Sequence, residues 1–230
     1  MANTLEEIQN RISALLDQEQ SPTQGDDEWN LRTQYINTAQ SEWEQLYDWQ
    51  VLYTEYNTAT TTGSANTSIS LPADFRKIAS YPKITFDGST TDEFQQVRPQ
   101  ERSQKLATDK YFWVMGNKTD GYTMVVNPST SSGNLASGAS IFVSYYATAN
   151  SLVSPADVTP VPDINYLVHK ALAQRLFSAD DPRYSISQAE SEKILARMLE
   201  REAVHSEAAD DYSRIRTVEE TRYGFRIGRN

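Results

Sequence analysis

The sequence predicts an α+β protein: a four-helix body of two N-terminal and two C-terminal helices, a β-rich insert between the helix pairs, and an extended C-terminal tail. Two switches of hydrophobic period and one reversal of charge carry that expectation. Apolar residues recur at helical spacing from Leu5 to about Tyr56, alternate with polar ones between Ser68 and Tyr146, and return to helical spacing from Ile164. Beyond Tyr212 an acidic chain becomes arginine-rich. The expected divisions are 1–60 for the N-terminal helices, 61–150 for the insert, 151–208 for the C-terminal helices and 209–230 for the tail.

The first helix is marked by Thr4 with Glu7 three residues later, the pattern of a capping box in which two orphan N–H groups each gain a partner. Leu5, Ile8, Ile12 and Leu15 give it an apolar face, and Ser21-Pro22 and Gly25 end it. Asp26 and Asp27 open the second helix with negative charge at the positive end of its dipole. Tyr35, Ala39, Trp43, Leu46 and Tyr53 share its stripe, flanked by Ile36 and Trp49, and carry the expected helix to about Tyr56. At this spacing the aromatic residues read as core.

A polar stretch, Thr58 to Thr67, leads into the insert. Ser68–Pro72, Phe75–Phe86 and Glu93–Arg98 read as strands, with Asp87-Gly88 as a hairpin signal. Tyr111–Met115 and Tyr122–Val126 read as a pair joined through Gly116 and Gly121, and Ile141–Tyr146 closes the set, about five strands in all. Asp163 then caps a helix bearing Ile164, Leu167, Val168, Ala171, Leu172 and Leu176, which Asp180-Asp181-Pro182 breaks. Ser187 with Glu190 is a second capping-box pattern, placed before Ile194, Leu195, Met198 and Leu199. Neither helix pair can bury its stripe alone, so the pairs are expected to pack together across the insert.

The tail carries Arg214, Arg216, Arg222, Arg226 and Arg229 against Glu219 and Glu220, with Tyr212, Tyr223, Phe225 and Ile227 between them. Such a segment offers anchors to a partner but too little apolar area to fold alone. Tyr212, Arg214, Arg216, Arg222, Tyr223, Phe225, Arg226, Ile227 and Arg229 are therefore the expected partner-binding residues.

Composition narrows the function classes. A formal net charge of −10 opposes general nucleic-acid binding by the body, because phosphate affinity comes from Lys and Arg. An acidic wall suits a conduit for DNA, though acidic charge also simply keeps a protein soluble. There is no cysteine, which fits folding in a reducing compartment. No basic-then-apolar signal follows Met1, and no apolar run nears the ~20 residues that cross a bilayer, so a soluble, unexported chain is expected.

The order of parts resembles that of the head–tail adaptor proteins of tailed bacteriophages, also called head-completion or tail accessory proteins. The resemblance spans nearly the whole chain. It rests on Thr4-Leu5-Glu6-Glu7-Ile8, on Tyr35-Ile36-Asn37-Thr38-Ala39-Gln40 leading to Trp43 and Trp49, and on the corner Leu71-Pro72-Ala73-Asp74-Phe75. Tyr145-Tyr146, the helix from Pro160 to Phe177, and the stretch from Asp181 through Glu190 to Glu202 complete it. The resemblance implies a structural virion protein at the neck, assembled in the host cytoplasm as a ring of twelve copies. In that setting the tail would dock on the portal protein and the insert would face a downstream tail or nozzle protein. DNA would pass through the lumen without specific binding, the ring would help to retain it, and no membrane would be involved.

Residues for catalysis are sparse, and no cofactor, metal site or enzymatic activity is expected. His169 and His205 are the two histidines; the first lies on a helix flank, expected to be structural and half exposed, and the second in a connector. Neither has the strand-end setting of a nucleophile triad. Asp26-Asp27-Glu28 lacks the alternate spacing of a calcium loop and reads as a helix start. Glu93, Glu101 and Asp109 leave open a carboxylate pair for sugar-bond hydrolysis, as in a virion-associated cell-wall hydrolase. A tail-tube or receptor-contacting protein is the other alternative, with Tyr111, Phe112, Trp113 and Tyr122 as surface anchors.

Overall fold

A computed structural model describes residues 3–18, 21–59, 68–79, 83–86, 90–98, 100–106, 111–126 and 140–203. The fold is α+β, with helices at both ends and strands between them. Its described residues divide into two compact units, one drawn from Met1–Gln50 and Ser151–Asn230, the other from Val51–Asn150.

The helical unit holds α1 (Leu5–Leu15), α2 (Asp27–Leu46), α3 (Ile164–Ser178) and α4 (184–203). α3 packs against both α1 and α2. It is buried through Ile164, Tyr166, Leu167, Val168, Ala171, Leu172, Ala173 and Leu176, the near all-round apolar surface of a central helix. Leu5, Ile8 and Ile12 of α1 are buried as the spacing predicts, but Leu15 is 46% exposed. On α4, Ser187, Ser191, Ile194 and Met198 form the buried face.

Two expectations about helix starts are corrected here. The Thr4 hydroxyl accepts from the Glu7 N–H at 3.3 Å, but the Glu7 carboxylate turns to Arg11 at 2.6 Å, so only half of the capping box forms. The carbonyls of Asp157 and Pro155 accept from the N–H groups of Leu5 and Glu6 at 2.9 and 3.0 Å, and so cap the helix from the far end of the chain. The second box does not cap α4, because the helix begins at residue 184 and Ser187 lies inside it. Asp181 serves that end: its carbonyl accepts from the Tyr184 N–H and its carboxylate from the Arg183 N–H. The Asp163 cap on α3 forms as expected, accepting from the Asn165 N–H at 3.0 Å.

α2 stops at Leu46 and does not reach Tyr56. Tyr47 is extended (φ −151°, ψ 163°), and Trp49 folds back so that its indole N–H donates to the Trp43 carbonyl at 2.7 Å. The two indoles stack at 4.7 Å. This contact satisfies one of the orphan carbonyls at the helix end and turns the apolar stripe back on itself. Leu46, expected in the stripe, is 54% exposed. Tyr53 then begins a strand.

The second unit has nine strands among the described residues, not about five. β1 (Tyr53–Ala59) was hidden under the helical reading, and the expected strand Phe75–Phe86 is two: β3 (Phe75–Ile78) and β4 (Lys83–Phe86). β9 (Ser140–Ala147) is the centre of one sheet. Along one edge it pairs antiparallel with all of β1, and along the other with β3 and β4 in succession. β4 pairs onward with β5 (Thr90–Glu93). The Asp87-Gly88 turn signal lies outside the described residues. A second sheet runs β2 (Ser68–Ser70), β8 (Gly121–Val126), β7 (Tyr111–Asn117), β6 (Gln95–Gln96), with only the last pair parallel. Ile69, Phe75, Phe94, Phe112, Met124, Val143 and Tyr145 from the two sheets form one shared core. Trp113, Val97 and Val125 form a smaller cluster on the opposite face of β7 and β8, as period-2 alternation requires.

Candidate partner-docking site

The nine residues expected to bind a partner, Tyr212, Arg214, Arg216, Arg222, Tyr223, Phe225, Arg226, Ile227 and Arg229, lie outside the described residues, as does His205. The motif residues that carry the resemblance are among the described residues, and several of them make long-range hydrogen bonds. Asn37 on α2 uses both ends of its amide on Leu152: Nδ2 donates to the Leu152 carbonyl at 2.9 Å, and Oδ1 accepts from the Leu152 N–H at 2.8 Å. One turn on, Gln40 Oε1 accepts from the buried Thr159 hydroxyl at 2.6 Å. The Asn37–Gln40 string thus fastens the chain, as it leaves the insert, to α2.

The Leu71–Phe75 corner has a comparable job in the sheet unit. Its turn is closed by the Phe75 N–H donating to the Pro72 carbonyl, and Leu71 and Phe75 are buried on either side. The Tyr145 hydroxyl donates to Asp74 Oδ1 at 3.0 Å, and the Asp74 carbonyl accepts from the Thr148 N–H at 2.7 Å. Burial, with the Asp74 hydrogen bond and charge beside it, pushes the Tyr145 phenol up to about 12. The corner therefore clips the end of β9 to the turn before β3.

Residues weighed for chemistry hold other posts. Glu28 joins α2 to α3 by ion pairs with Arg32 at 2.8 Å and Arg175 at 3.1 Å. Glu101 accepts from the Arg98 N–H, Asp109 lies outside the described residues, and nothing is described of the Glu93 side chain. Among the described residues no group of three or more His, Cys, Asp and Glu is placed to hold a metal ion. The aromatic residues of the receptor-contacting alternative are not surface anchors: Phe112 is fully buried, Trp113 is 8% exposed, and Tyr111 and Tyr122 are half-buried. Arg102 covers the Trp113 ring at 5.2 Å.

The surface feature that the sequence left unmarked is a groove of about 260 Å³ walled by α1, α3 and α4. Leu15, Leu16, Leu172, Leu176 and Ile186 line it together with half-buried His169, whose Nδ1 is enclosed without a hydrogen-bond partner. Ile186 is 72% exposed, and Phe177, 69% exposed, meets Tyr184 edge-on nearby. The only sequence signal was negative: Phe177 and Ile186 are large apolar residues that fall off both stripes, one on each side of Asp180-Asp181-Pro182.

A family model described as SU10 adaptor protein matches residues 3–219. The chain belongs to that family. It is accordingly an adaptor, a structural component of a bacteriophage virion that interacts with other head and tail parts. The match takes in both units, the Asn37–Gln40 string, the Leu71–Phe75 corner and the first part of the arginine-rich segment, including Tyr212, Arg214 and Arg216. No curated protein matches the adaptor's sequence. Among the described residues no helix is long and apolar enough to cross a membrane.

Proposed function

We propose that this adaptor assembles as a ring, twelve copies in the expected arrangement, at the neck between the portal protein and the tail. The arginine-rich segment from Tyr212 to Arg229 is the portal-docking strap, and the sheet unit faces the downstream tail or nozzle protein. DNA passes through the lumen without specific binding, and the ring helps to hold packaged DNA in. The single observation that carries this reading is the family match, which continues through both units and into the strap.

Physical chemistry supports the assignment of the strap. Ordering it on a partner costs about 1–2 kcal/mol per residue of backbone entropy, which the aromatic anchors and bidentate arginine–carboxylate pairs must offset. Repetition around a ring adds avidity that one strap lacks. Deleting Tyr212–Asn230 is expected to leave a chain with the circular dichroism of the full protein that no longer co-sediments with purified portal. Retained portal binding by that shortened chain refutes the strap assignment. A peptidoglycan zymogram tests the hydrolase alternative, and no clearing band is expected.

A further inference from the structure

We infer that the groove between α1, α3 and α4 is the resting place of the adaptor's own C-terminal segment before it meets a partner. The inference concerns the free chain and stands whether or not portal is the eventual partner. The occupant is residues 222–229, in the same copy.

Shape and chemistry match. The groove floor is apolar through Leu16, Leu172 and Leu176, and its lip carries Leu15 and Ile186 in contact with solvent. Large apolar side chains left exposed together mark interaction surfaces. In the segment, Tyr223, Phe225 and Ile227 alternate with Arg222, Gly224 and Arg226, so an extended chain would present three apolar side chains on one side and two arginines on the other. The enclosed, unpartnered Nδ1 of His169 gives the wall a polar atom for an incoming backbone group.

Charge matches as well. Glu190 lines the groove, Asp181 lies behind Arg183, Asp17 is close enough to act on the Arg183 charge, and Asp180 sits in the turn between α3 and α4. Against these four carboxylates stand Arg183, already held by Asp181 at 2.7 Å, and Lys193, paired with Glu190 at 3.3 Å. The rim is net acidic, whereas the segment from Tyr212 has five arginines and two glutamates.

Reach is sufficient. Residue 186 lies about 26 Å along α4 from residue 203 at ~1.5 Å per residue. The intervening residues 204–221 span about 23 Å as a flexible chain and up to ~60 Å when extended. The segment can therefore return to its own groove without strain.

The chain has no cysteine, so pairs can be introduced cleanly into the full-length protein. Ile186→Cys with Phe225→Cys is expected to be bridged within one copy, by a short bis-maleimide, at least about tenfold faster than Val153→Cys with Phe225→Cys. Val153 is 68% exposed and lies near the other end of α1, so it is a fair control. Equal rates overturn the inference. Bridging found only between copies, read by mass after mixing light and heavy protein, places the segment on a second copy and also overturns it. Ile186→Asp changes an exposed residue, so the fold should persist, and trypsin is expected to cut after Arg222 and Arg226 at least about tenfold faster than in the parent chain. Unchanged cleavage overturns it. Portal binding by these same chains is a separate readout, so either proposal can fail alone.

Discussion

Arg32 is 1% exposed, and each of its three guanidinium nitrogens donates to a side-chain oxygen: Nε to Glu28, Nη1 to Ser13 Oγ at 2.8 Å and Nη2 to Gln18 Oε1 at 2.7 Å. Glu28 is shared with Arg175 of α3. Burial pushes the Glu28 carboxyl up, but hydrogen bonds from Arg175 and Arg32, with their charges, more than cancel this, and the group titrates below its ordinary value of 4.5. A carboxyl whose pKa is lower in the folded chain stabilises above its ordinary value, and that stability is lost as pH falls below it. Glu28→Gln is therefore expected to cost roughly 1.5–3 kcal/mol at pH 7. The penalty should shrink steadily in urea titrations run below about pH 4.5, where the parent loses the same interaction. A penalty unchanged down to pH 3 would contradict this account. Gly116 is a different kind of fixed point: its φ is +110°, and a Cβ there would lie 2.1 Å from the Gly121 carbonyl oxygen. The β7–β8 hairpin requires glycine at that position on both counts.

Among elements, the Asn37 amide is the most consequential single fastening. It makes two hydrogen bonds to one backbone residue that is 115 positions away in sequence. Asn37→Ala removes both and leaves the buried Leu152 segment untied, at an expected cost of about 1–3 kcal/mol. Thermal melts of the variant check this, with Thr38→Ala, an exposed change on the same helix, as the neutral control. How much of each element could be read in advance depended on where its partners lie. The Leu5–Ile8–Ile12 stripe, the Asp163 cap and the β7–β8 hairpin depend on neighbours a few residues off, and all were legible. The end of α2 depends on Trp49 turning back onto Trp43, while the apolar spacing through Tyr53 still read as helix. The start of α1 is capped by carbonyls from Pro155 and Asp157, which no local pattern signals. The arginine-rich segment stands out by composition alone, since charge reversal is visible in sequence. The groove does not, because Leu15, Phe177 and Ile186 come together only through packing.

For the whole molecule, each unit buries a set of large aromatic residues: Trp43 and Trp49 in one, Phe75, Phe112 and Tyr145 in the other. Among the described residues, the groove gathers exposed Leu15 and Ile186, with Phe177 nearby, into one surface open to a partner. A chain of this kind is expected to be a monomer in solution and to become a ring when mixed with portal. Analytical ultracentrifugation of the protein alone, then electron microscopy of the mixture, checks both halves. A stable trimer in the absence of portal would favour a receptor-contacting role instead.

The Thr4–Val158 bridge and the backbone hydrogen bonds that tie residues 3–6 to residues 155–159 also set an order of events during synthesis. A ribosome makes the first two helices early, yet the cap of α1 and the central neighbour of both, α3, emerge only after the entire sheet unit has been translated. At ~5–20 residues per second, those hundred or so residues take roughly 5–20 s. The nascent N-terminus spends that interval with a bare apolar stripe, and the β-rich middle is the first part able to fold. Chaperone dependence in the host should therefore fall on the opening fifty residues, which are made first and completed last.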